Sequence, residues 1–128
     1  MKGSRRVEIV NTTKGTTLGT RIRVADTSLS RMFGLLGETA LDPGCGLLIQ
    51  PSSGVHTFGM RFAIDVVALD RQCRVLGAWT SVGPFRVAGL DWKTRRVLEL
   101  PVGAIRDSLT AVGDQIAIRN EAPPAGSG

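Results

Sequence analysis

Apolar and polar positions alternate along much of the chain, and the alternation predicts strands. RRVEIV, beginning at Arg5, alternates, and TRIRVA does so more cleanly, with Ile22 and Val24 on one face and Arg21 and Arg23 on the other. NTTKGTTLG between them is rich in turn formers, so the two segments are expected to pair as a hairpin or adjacent strands. GLLIQ, from Gly46, predicts a short buried strand, and IDVVALD, from Ile64, is apolar on both faces and so predicts a central strand. DRQC turns the chain into RVLGAWT, another strand with Trp79 expected in the core. SVGPFRVAGLDWKT is expected to be a long surface connection. RRVLEL and GDQIAIRN supply the last two strands.

Two segments depart from period two. In DTSLSRMFGLLGE, Leu29, Met32, Phe33 and Leu36 recur at helical spacing, Asp26, Thr27 or Ser28 can cap the start, and Gly37 suits the end. PVGAIRDSL predicts a short helix with Pro101 in its first turn. Hairpin-length links between most strands favour an α+β fold over an alternating α/β one. The expected architecture is mostly β: a curved or partly closed mixed sheet of about seven strands, with one main helix and one short helix.

Length and charge refine this picture. At 128 residues the chain fits one globular domain over 1–120, and EAPPAGSG over 121–128 has the composition of a disordered tail. The net charge of +5 is concentrated in residues 1–31, which carry seven Lys or Arg against Glu8 and Asp26. A basic edge can steer toward phosphates or an acidic protein partner, but charged flanks on edge strands also serve solubility. Nucleic-acid binding there is expected to be at most weak and non-specific.

Cys45 and Cys73 lack the close pairing of a zinc or redox motif, so two free thiols are expected, with a single bridge as the alternative. No apolar run reaches membrane-spanning length and no signal-like segment opens the sequence. A cytoplasmic chain that does not insert into membranes is the expectation.

In order, RMFGLLG, GCGLLIQP, HTFGMRFAIDVVALD, RRVLELPVG and VGDQIAI resemble the uncharacterised prokaryotic family catalogued as domain of unknown function 192, from about Ser28 to Ile118. The resemblance implies a compact, mostly β domain and carries no established activity; related members can be exported. Where that family usually has proline, a large aromatic and a hairpin glycine, this chain has Ala63, Ala68 and Cys73. In the branch with His-Thr a cysteine often stands where Ser52 is here, which argues against a cysteine-based site.

Candidate chemistry centres on HTFGMRFAID, residues 56–65, which holds the chain's one histidine. His56 and Met60 with one carboxylate make a poor metal set, and nothing places a cysteine beside His56, so no metal, cofactor or catalytic residue is assigned. Asp65 heads a strand apolar on both sides, where its carboxylate needs Arg61, Thr57 or backbone amides as partners. Glu99, by alternation, faces away from Leu98 and Leu100 and is expected on a solvated face. Trp92, in the polar loop LDWKTRR, is the better exposed aromatic. The binding residues expected are thus His56, Thr57, Met60, Arg61, Asp65 and Trp92, with Arg95 nearby.

The favoured function is a non-enzymatic ligand-binding or accessory module with a groove around the HTFGMRFAID segment and a small ligand. The alternative is a small hydrolase using His56 as general base with Asp65 or Glu99. A weak nucleic-acid binder acting through the basic N-terminal strands is the third reading.

Overall fold

A computed structural model describes residues 5–25, 41–56, 62–83, 87–88 and 91–120, with the backbone alone described at 55, 56 and 87. The main helix expected from Asp26 to Gly37, and the tail 121–128, lie outside the described residues.

The N-terminal alternation forms a hairpin. β1 (Arg6–Asn11) and β2 (Thr16–Ala25) pair antiparallel, with Val7 opposite Ile22 and both buried in the core. The turn is shorter than expected. Gly15 takes a left-handed φ of 71° and the Asn11 side chain accepts the Lys14 amide, so the reversal is complete by residue 15. TTLG therefore belongs to β2, and Leu18 is buried.

β3 (Cys45–Ile49) pairs parallel with β2, and β8 (Arg96–Leu100) pairs antiparallel with both β3 and β5 (Ile64–Leu69). β6 (Val75–Val82) forms one edge and β9 (Ile116–Asn120) the other, giving a mixed seven-stranded sheet in the order β6-β5-β8-β3-β2-β1-β9. The two edges meet at one end: the Val75 amide donates to Asp114, Gly113 to Val75 and Ile116 to Cys73, at 2.8–2.9 Å. The sheet thus curls into a half-barrel, as the strand pattern predicts. A separate pair, β4 (Val55–His56) with β7 (Val87–Ala88), was not foreseen. Ala88 is buried, so SVGPFRVAGLDWKT is not wholly a surface connection.

One helix, α1 (Ala104–Ser108), is described, and it packs on the sheet through Ile105. Pro101 precedes it rather than opening it; Gly103, left-handed at φ 103°, is the N-cap residue. Inside the curl, Ile9, Ile22, Leu48, Val67, Leu69, Leu98, Ile105 and Ile116 form one core. On the opposite face of the central strands, Leu47, Ile49, Ile64, Val66, Ala88 and Val97 form a second. This double cover explains why β5 is buried at every position. Trp79 is not core: on edge strand β6 its indole lies over Gly77 and is 39% exposed.

Candidate functional site

Pairing fixes which side chains of the central strands share a face. Asp65 stands opposite Leu100 and Val66 opposite Glu99, so the two carboxylates lie on opposite faces of the sheet. They do not converge. Asp65 is fully buried on the α1 face, where Oδ2 accepts the amides of Gly103 and Ile105 at 3.1 Å and Oδ1 accepts that of Ser81 at 2.9 Å. Backbone amides satisfy it, as expected, and those described come from β6 and the start of α1. Asp65 is in effect the N-cap that α1 lacks locally.

Glu99 corrects the expectation of a solvated face. Alternation holds, since it points away from Leu98 and Leu100, but that face carries the second core and Glu99 is fully buried between Leu47 and Val66. His56 belongs to β4, paired through its backbone with Val87. Thr57, Met60 and Arg61 lie outside the described residues.

Trp92 is 79% exposed, with the Lys93 ammonium 5.2 Å from its ring centroid. It stands four residues before Arg96, which pairs with Leu69, while Asp65 pairs with Leu100. Four residues of strand separate these ends by about 13 Å. Asp65 and Trp92 therefore mark opposite ends of the β5–β8 ladder.

The end near Trp92 is open. β8 runs antiparallel to both neighbours, so its start meets the ends of β3 and β5. There Gln50, Pro51, Arg71, Arg95 and Arg96 line a groove of about 410 Å³. The Gln50–Pro51 peptide bond is cis. The Ser52 amide donates to the Arg95 carbonyl, and four residues later the chain reaches His56, where the HTFGMRFAID segment begins. Arg71 and Arg96 were missed from sequence because a hairpin turn and a strand entry look like ordinary solvated positions. Only the antiparallel placement of β8 shows that they meet.

A second polar centre is structural. Asn11, Ser108, Thr110 and Asp114 are buried together. Asp114 Oδ2 accepts from Asn11 Nδ2 at 2.9 Å, Lys14 Nζ at 2.8 Å and the Ala111 amide at 3.0 Å. The Asn11 hydrogen bond, followed by that of Lys14, outweighs burial and lowers the Asp114 pKa to about 2. Both cysteines are free thiols, Cys45 beside the Arg21 guanidinium and Cys73 beside that of Arg96. Among the described residues no group of three or more His, Cys, Asp or Glu could hold a metal, and no helix is long and apolar enough to cross a membrane.

The family model described as "Uncharacterized ACR", domain of unknown function 192, matches residues 9–118. The chain belongs to this family. A "UPF0127 protein" of Thermococcus sibiricus is 30% identical over 116 residues, covering 84% of this chain and 72% of that one. Two solved structures share the fold at TM-score 0.68. One, from Sinorhizobium meliloti and described as a candidate transcription regulator, is 17% identical over 91% of this chain and 94% of its own. The other, a protein of unknown function from Novosphingobium aromaticivorans, is 19% identical over 88% of this chain and 83% of its own. At those identities the likeness speaks for fold alone. The late Gly-Asp turn of the family is Gly113–Asp114 here, the point at which the half-barrel closes.

Proposed function

We propose that this chain is a non-enzymatic ligand-binding or accessory module whose site lies at the groove at the start of β8, with the HTFGMRFAID segment that begins at His56 as its expected neighbour. One observation carries the reading. The two carboxylates that a His56-based hydrolase would recruit are fully buried on opposite faces of the sheet, whereas the open groove is lined by hydrogen-bond donors and proline. A general base needs an orienting group within hydrogen-bond reach, and Asp65 already serves three amides. A groove of this size suits a small molecule. A cytoplasmic setting accords with the two free thiols.

Because the chain has one histidine and two tryptophans, a small-molecule screen by NMR can follow His56 and Trp92 directly. Ligands of the module should shift the Trp92 indole and the His56 imidazole saturably without being consumed. Turnover of a simple ester that disappears in a folded His56→Ala variant would instead establish the hydrolase.

A further inference from the structure

Resting on the binding-module reading, we infer that the groove at the start of β8 is a seat for a compact dianionic oxyanion, a phosphate or phosphate monoester. Three guanidinium groups, of Arg71, Arg95 and Arg96, line one small groove, and none forms an ion pair with a described carboxylate. Arginine stays charged at any pH the fold tolerates, so the three cannot relieve their mutual repulsion by losing protons. The acids close by in sequence are engaged locally: Asp70 Oδ1 accepts the amides of Gln72 and Arg74, and Asp91 Oδ1 that of Lys93. The groove is thus a concentrated positive field to which no described carboxylate is ion-paired.

Two of the three arginines are held in place by the fold. Arg96, half-buried, gives its Nε to Gln50 Oε1 at 2.8 Å and its Nη1 to the Arg71 carbonyl at 3.4 Å. Its Nη2 makes no hydrogen bond to a described residue. Arg95 gives Nη1 to the carbonyls of Trp92 and Thr94, at 2.7 and 3.1 Å, and its Nε and Nη2 make no hydrogen bond to a described residue. Fixing a guanidinium beforehand lowers the ordering cost of binding. Arg71, exposed on the β5–β6 turn, supplies a third and adjustable fork. A monocarboxylate has one negative charge and two oxygens, which one fork satisfies. A phosphate offers more acceptor oxygens and close to two charges, which matches three forks arriving from two strand ends.

The test uses the full chain, labelled with nitrogen-15, titrated at about pH 8, where phosphate is mostly dianionic. Inorganic phosphate should shift the amides of residues 50, 52, 71, 95 and 96 saturably, whereas chloride and acetate at equal ionic strength should not. In the Arg71→Gln/Arg95→Gln double variant, both positions being exposed, the fold should persist and the phosphate Kd should rise at least about tenfold, one lost charge-assisted contact's worth. Dimethyl phosphate, a monoanionic diester like a nucleic-acid backbone, should bind far more weakly than phosphate. Equal shifts from chloride, undiminished binding by the double variant, or dimethyl phosphate binding as tightly as phosphate would each overturn the assignment. If phosphate fails while the ligand screen still moves Trp92 and His56, the module stands and only its anionic specificity falls.

Discussion

Asp65 shows how one side chain can read as chemistry in the sequence and act as architecture in the fold. A carboxylate inside an apolar run is costly unless paired, and three backbone amides pair it completely. Asp65→Ala should leave three donors unsatisfied and lower the unfolding free energy by at least about 3 kcal/mol in urea titration. Asp65→Asn, which turns an amide NH₂ toward N–H donors, should recover only part of that loss. An alanine variant within about 1 kcal/mol of the parent would remove the capping role. Cys73 is the converse case. It sits at φ 62° in the Asp70–Cys73 turn, a left-handed position where the family resemblance led us to expect glycine. The strain of about 1 kcal/mol is partly repaid by packing of the side chain against the core. Cys73→Gly should therefore leave the melting temperature unchanged or raise it by up to about 4 °C. A fall of more than about 4 °C would show that the thiol's contacts outweigh the backbone strain.

At the scale of elements, α1 shows why some structure escapes sequence pattern. Five residues cannot sustain a helix alone, and both of its ends are fixed from far along the chain. Asp65 holds the first amides, while Lys14 Nζ donates to the Leu109 carbonyl just beyond the last turn, an arrangement that also suits the helix dipole. Local signals pointed to Pro101 because neither partner is local. The long apolar runs were legible: β5 and β8 were recognisable as interior strands because Val66–Leu69 and Val97–Leu98 leave no polar face. Glu99 was misread because alternation tells which face a residue takes, not whether that face is covered. β4 and β7 have two residues each and so carry no period at all. The Asp114 cluster joins the β1–β2 turn to the segment after α1 and gives a pH signature. Its folded pKa of about 2 lies below the ordinary value of 3.8. The stability it adds is therefore complete above the ordinary value and is lost as pH falls through the interval between the two. Melting curves of the parent and Asp114→Asn should differ at neutral pH and converge as pH falls toward about 2. A gap that stays constant across that interval would mean that the ionised form is not what the cluster stabilises.

For the whole molecule, the decisive contacts join the two ends of the chain. β1 lies between β2 and β9, and Asn11 reaches Asp114 across 103 positions. Gly113, Asp114 and Ile116 then tie β9 to the start of β6, closing the curl around the inner core. No local pattern announces such a closure, although the late Gly-Asp turn marks where it happens. Without β9, β1 would present an unpaired edge and Ile9 and Val7 would lose cover. Ile116→Ala should cost about 2–4 kcal/mol, since a buried side chain at the seam would leave a cavity. Deleting residues 112–128 should go further and abolish cooperative unfolding, followed by the near-ultraviolet signal of Trp79, whose indole lies over Gly77 on β6. Deleting only 121–128 should shift the melting temperature by no more than about 2 °C, because EAPPAGSG has the composition of a disordered tail. If the longer deletion still melted cooperatively near the parent temperature, the seam would be an ornament on a sheet stable without it. The expected contrast between the two deletions instead makes β9 the strand that turns a six-stranded ribbon into a closed core.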